Sequence, residues 1–144
     1  MFLKIAAVGK VKDRNIKAKC QDYISRISHD AQLSISEIKD SDPQTEGRKL
    51  LQTMKGEKAF VFAMGEEGRQ YSSREFARRL ESCNRRAVFV IGGPEGLSME
   101  VKDYAAEIIS LSRMTLTHEL ARLFLLEQLY RGISIIHNRK YHKD

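Results

Sequence analysis

Two short runs constrain this chain more than anything else in it. Ala59-Phe60-Val61-Phe62-Ala63-Met64 and Ala87-Val88-Phe89-Val90-Ile91 contain no polar residue, and each is followed at once by glycine. Strands apolar at every position are covered on both faces, which is the habit of parallel sheets with helices on either side. Amphipathic segments lie around them, so strand and helix alternate as in an α/β domain. Residues 2–8 read as a first strand. Residues 13–28 read as a helix, with Ile16, Cys20, Tyr23, Ile24 and Ile27 at helical spacing. Leu33, Ile35 and Ile38 mark a second strand, and Asp42-Pro43 a turn into a helix over about 44–55. Gly65-Glu66-Glu67-Gly68 reads as the turn that ends the third strand. Ser72-Ser73-Arg74-Glu75 opens a helix striped by Phe76, Ala77 and Leu80. A further helix is expected over about 98–108, then a short apolar piece at Ser110-Leu111-Ser112. With no repeat or linker, the 144 residues read as one domain, 1–144, a mainly parallel sheet flanked by helices.

The last helix, about 118–136, is apolar almost all round: Leu120, Leu123, Phe124, Leu125, Leu126, Leu129 and Tyr130 cover more than one stripe. One sheet covers one face of such a helix, so the other is expected to meet a second copy in a two-fold homodimer. No segment approaches the roughly 20 apolar residues of a membrane span, and the first nine residues are too short for a signal peptide. Cys20 and Cys83 form no CxxC pair and suit a reducing cytoplasm. The four histidines have no metal-ligand spacing, so no metal is expected.

The net charge of +6 favours polyanions, nucleic acid first. Three basic clusters add to that: Lys10, Lys12, Arg14, Lys17 and Lys19; Arg74, Arg78, Arg79, Arg85 and Arg86; and the ending His137-Asn138-Arg139-Lys140-Tyr141-His142-Lys143-Asp144. Each alone is an ordinary solvated surface; together in one small domain they point to RNA.

The strongest local signal is Val90-Ile91-Gly92-Gly93-Pro94-Glu95-Gly96-Leu97, a buried strand running into three glycines and a proline. Ligands of open α/β sheets bind outside the carboxyl ends of strands. There is no GxxxxGK[ST] and no GxGxxG after the first strand, which counts against a nucleotide-handling enzyme that grips phosphate. The acids of Gly65-Glu66-Glu67-Gly68 would repel phosphate but tolerate ribose hydroxyls, adenine or a sulfonium.

The junction at 90–97 is followed by Ser110-Leu111-Ser112-Arg113-Met114-Thr115-Leu116-Thr117-His118, then Leu126-Glu127-Gln128-Leu129-Tyr130-Arg131-Gly132 and the ending Tyr141-His142-Lys143. In combination, and with the opening Ile5-Ala6-Ala7-Val8-Gly9-Lys10, these motifs resemble the bacterial large-subunit ribosomal RNA pseudouridine N3-methyltransferases of the SPOUT (trefoil-knotted) class. The resemblance runs the whole length and is least informative over about 39–57. It implies a C-terminal trefoil knot, a homodimer, and S-adenosylmethionine held in the knot by Met64, Gly92, Gly93 and the loop Ser112, Arg113, Met114, Thr115, Leu116 and Thr117. Two positions depart from it: Gly65, where the family often has Asp, and Thr117, where it often has Pro.

Under that resemblance His118, Tyr141 and His142 are the expected residues for base orientation and proton handling, and the tail of one subunit could finish the other's site. Arg131, Arg139, Lys140 and Lys143 are the expected contacts to ribosomal RNA or the assembled ribosome. The rival reading is a non-catalytic basic dimeric α/β module that binds RNA and no S-adenosylmethionine.

Overall fold

The computed structural model of the protein describes residues 1–83 and 86–144, so Arg85 of the second basic cluster lies outside it. Chain order runs β1 (Phe2–Val8), α1 (Arg14–Ile27), β2 (Gln32–Ile38), α2 (Pro43–Met54), β3 (Phe60–Gln70), α3 (Ser73–Glu81), β4 (Arg86–Ile91), α4 (Met99–Tyr104), β5 (Glu107–Ser110) and α5 (His118–Ile136). The strands form one parallel sheet in the order β2-β1-β4-β3-β5.

Strand side chains alternate between faces, and the sheet divides the core accordingly. Leu3, Ile5, Ala7, Phe62, Phe89 and Ile91 meet Cys20 and Ile27 of α1, Phe76 and Leu80 of α3, and Leu125, Leu126, Leu129 and Ile133 of α5. Ala6, Val8, Val61, Ala63, Val88 and Val90 meet Leu50 and Met54 of α2 and Val101 of α4. The Phe62 and Phe89 rings stack at 5.1 Å, an arrangement adding about 1 kcal/mol to simple burial. This two-sided cover is what the unbroken apolar runs demand.

Each helix starts at a polar residue whose side chain accepts an otherwise unpaired backbone N–H. Asp13 takes Asn15 and Ile16, Asp42 takes Thr45 with Pro43 in the first turn, and Ser72 forms a capping box with Glu75. Such caps are worth about 1 kcal/mol each.

Two expectations are corrected. The segment 65–68 does not end its strand: Met64 and Arg69 both stand opposite Ile109, and Gln70 pairs with Ser110, so the four residues between loop out and pairing resumes. Gly68 lies so close to β5 that a Cβ there would stand 2.6 Å from Ile108 backbone atoms. The helix expected to reach 108 stops at Tyr104, because Ala105 turns extended and the Ala106 N–H donates to Val61 O at 2.8 Å. The chain then enters β5 instead of the expected apolar piece at 110–112.

Candidate active site

A cleft of about 640 Å³ opens at the carboxyl ends of β3 and β4. Its walls are Met64–Glu67, where β3 leaves its ladder, the glycine loop 92–97, and the segment 111–118 leading into α5.

The glycine loop is tight for a definite reason. The Gly96 N–H donates to Gly93 O at 2.9 Å, and Gly96 has φ +81°, a conformation natural only to glycine. A Cβ at Gly92 would stand 2.8 Å from the Gly96 carbonyl carbon and 3.0 Å from the Leu97 nitrogen. Backbone passes backbone there with no room for a side chain. Gly93 faces inward: a Cβ would meet Val8 at 3.3 Å and the Glu46 carboxylate at 3.4 Å. Glu46 is buried and accepts the Ser41 N–H at 2.7 Å.

The opposite wall is shaped by its own hydroxyls. Ser110 Oγ donates to Ser112 O at 2.9 Å, and Ser112 Oγ accepts the Met114 N–H at 3.0 Å. Thr117 caps α5 by accepting the Leu120 N–H at 3.2 Å, a contact that a proline at this position could not make. Ser112, Met114, Thr115, Leu116 and Thr117 line the cleft; Arg113 is exposed and does not.

His118 lines the cleft and covers Gly9, its Cε1 3.4 Å from where a Gly9 Cβ would be. Its Nδ1 is buried with no hydrogen-bond partner. Packing against Gly9 holds the ring. One turn on, buried Arg122 donates through Nη2 to Gly9 O at 2.9 Å and through Nη1 to Glu37. Glu119 accepts the Lys12 and Asp13 N–H groups, both at 3.0 Å. The first turns of α5 therefore grip the loop after β1.

The rim at 65–67 is acidic. Glu67 pairs with Lys102 at 3.0 Å, and its carboxylate folds back to within 2.7 Å of where a Gly65 Cβ would be. A backbone hydrogen bond and then Lys102 hold its carboxyl below the usual value. The space beside Gly65 is thus filled by a carboxylate from two residues further on.

The tail is not in this cleft. Tyr141 donates to Glu127 at 3.1 Å and accepts from the Tyr23 hydroxyl at 3.0 Å. His142 Nδ1 lies 3.1 Å from Arg131, itself paired with Glu127 at 2.5 Å. From His118 to Arg131 the helix rises about 20 Å at 1.5 Å per residue, so His118 and the Tyr141–His142 pair stand apart within one chain. Burial, then the Tyr23 hydrogen bond, raises the Tyr141 phenol above its usual value; it stays a donor and not a base. Arg139 is tied to Asp30 at 2.6 Å, while Lys140 and Lys143 are exposed.

Asp144 fastens the end of the tail through Arg74 at 2.8 Å and His142 at 2.9 Å, and these two, Arg74 first, hold its carboxyl at about 2 against an ordinary 3.8. A lowered carboxyl pKa gives attachment that is complete above the free value and lost as pH falls through the lowered one. The Asp144 contacts should therefore persist at pH 4 and be lost near pH 2, read as amide-signal changes at residues 142–144 by NMR.

Sequence reasoning missed Glu46, Glu119 and Arg122. Glu46 gave no signal. Arg122 did, as a charge set within an apolar helix. Among the described residues no group of three His, Cys, Asp or Glu could hold a metal, and no helix is long and apolar enough to cross a membrane.

Residues 1–142 match the family model described as "Predicted SPOUT methyltransferase". The ribosomal RNA large subunit methyltransferase H of Prochlorococcus marinus is 42% identical over 142 residues, 98% of this chain and 95% of that one. Its namesake in Coprothermobacter proteolyticus is 40% identical over 147 residues, 99% of this chain and 100% of that one. A probable methylase family protein from Haemophilus influenzae has the same fold, with TM-score 0.58 and 15% identity over 99% of this chain and 70% of that one. TrmJ from Z. mobilis gives TM-score 0.54 at 12% identity with the same coverage. On the family match and the whole-length identity, the chain belongs to the SPOUT methyltransferases.

Proposed function

We propose that the protein transfers a methyl group from S-adenosylmethionine to N3 of a pseudouridine in large-subunit ribosomal RNA. The observation that carries this reading is the cleft itself, placed at strand carboxyl ends and walled by a loop where Gly92 leaves no room for a side chain. The RNA comes from the name of the whole-length relatives.

The residues fit the cofactor. A cleft of about 640 Å³ falls within the roughly 300–1,000 Å³ of small-molecule sites, and Glu66, exposed on its rim, suits a cation. Gly92, Gly93, Met64 and the wall 112–117 would hold it, with Arg113 at the margin. When bound, the group supplies an electrophilic methyl. The chain's own task is to hold the base and have N3 lose its proton. His118 is the imidazole at the cleft and the acceptor we assign to that proton. Tyr141, His142 and Arg131, with Lys140 and Lys143, serve base and phosphate if α5 pairs with α5 of a second copy, so that one subunit's tail reaches the other's cleft. The exposed Leu120 and Phe124 support that pairing, as does a groove of about 390 Å³ lined by Tyr23, Leu116, Leu123 and others. Under the same reading 1–144 is one cytoplasmic domain, and the path from β4 through both cleft walls to α5 is the trefoil knot of the class.

Unmethylated ribosomes incubated with methyl-labelled S-adenosylmethionine should gain label on large-subunit RNA, and calorimetry should show the cofactor binding. A folded dimer that binds no cofactor and transfers no label would overturn the reading in favour of a non-catalytic RNA-binding module.

A further inference from the structure

Of the four cations expected to meet RNA, Arg131 is paired with Glu127 and Arg139 with Asp30, while Lys140 and Lys143 stay exposed. Arg74 of α3 is paired as well, with Asp144. The segment 10–17 is different. Lys10, Lys12, Arg14 and Lys17 are all exposed, and none has a carboxylate within ion-pair distance among the described residues. Asp13 is the acid among them, and its carboxylate is taken by the N–H groups of Asn15 and Ile16. Those contacts also consume donors of the first turn of α1, so the positive potential here comes from side chains.

The loop that carries these cations is fixed against the cleft. The Gly9 N–H donates to Ile38 O at 2.8 Å, Arg122 holds Gly9 O, and Glu119 holds the N–H groups of Lys12 and Asp13. The residue between those anchors and the cleft is His118, which packs on Gly9. Rigid presentation spares the ordering cost that a mobile basic tail would incur on binding.

We propose that Lys10 and Lys12, on the loop after β1, and Arg14, at the start of α1, form the docking surface for the RNA backbone beside the cleft, and that Glu119 and Arg122 set its register to His118. This inference rests on the methyl-transfer reading above and adds to it where the polyanion lies. Phosphate contacts position a nucleic acid without reading its sequence, and this surface would place the strand so that one base reaches His118. The anchors use backbone atoms of the loop, so changing the basic side chains leaves its shape intact.

The test compares the triple variant Lys10→Gln, Lys12→Gln, Arg14→Gln with an equal-charge control, Lys49→Gln, Lys55→Gln, Lys58→Gln. The control residues are exposed, and Lys55 and Lys58 lie between α2 and β3, at the opposite end of the strands. Methyl transfer to unmethylated ribosomes is measured against salt, with calorimetry for S-adenosylmethionine. For the first triple, KM for ribosomes should rise about tenfold or more and the salt slope fall by about 2–3. Its cofactor affinity should not change. The control should move KM less than threefold. An unchanged KM and slope in the first triple, with the wild type active, overturns this proposal alone, and so does an equal loss in the control. A wild type that neither binds cofactor nor methylates removes the enzyme reading, and this proposal with it.

Discussion

Gly92→Ala should weaken S-adenosylmethionine binding by at least a hundredfold while leaving the protein folded. The added carbon would stand 2.8 Å from the Gly96 carbonyl carbon and 3.0 Å from the Leu97 nitrogen. Neither can swing aside as a side-chain tip could, so the loop must open. A misplacement of about 1 Å costs on the order of 10²-fold in the rate of a positioned reaction, so methyl transfer should fall by at least as much as binding. The stability penalty is that of a local overpacking, about 1–3 kcal/mol, because the buried strand residues below the loop are untouched. Calorimetry beside thermal melting separates the two. A variant that binds the cofactor like wild type would show that the loop is not part of the site.

Arg122→Ala should cost stability as well as activity. Arg122 is 4% exposed and its fork spans two partners, Glu37 and Gly9 O. Removing one partner of a buried ion pair costs about 3–5 kcal/mol. Glu37 keeps a third of its side chain in water, which places the loss near the lower end. At about 3 kcal/mol a domain of this size loses roughly 10 °C in Tm. Arg122→Lys should recover little, since a single ammonium does not reproduce a planar fork with two separated donors. Methyl transfer should drop further than melting alone explains, because Gly9 supports His118. Melting temperature and turnover, measured below the melting point of each variant, check both parts.

The fold was legible where local chemistry and tertiary demand agree. The runs at 59–64 and 87–91 can be satisfied only by cover on both faces, and Asp42-Pro43 and Ser72 announce their helices. The segment 65–68 looked like a turn because glycine and charge make turns. What overrides them is β5, whose Ile109 and Ser110 take up Arg69 and Gln70. The overlong helix at 98–108 failed similarly, since the Ala106 contact to Val61 is invisible in local spacing. The glycine junction of the site was readable from its composition. Its supporting shell was not: Arg122 reaches Gly9 across 113 positions and Glu119 reaches Lys12 across 107. The separation of His118 from Tyr141 and His142 by the length of α5 is likewise a property of the folded chain, invisible in the motifs that group them.

The strand order also sets a timetable for folding. β1 and β3 never touch; β4 fills the slot between them. When the first 70 residues have been made, β1 has only β2 to pair with, and β3 must wait for a neighbour. Translation at about 5–20 residues per second leaves those edges open for seconds until Ile91 emerges. Pairings of such long sequence separation are slow to form in any case. Nascent chains stalled before β4 should therefore bind chaperones, and those extended past α5 should release them.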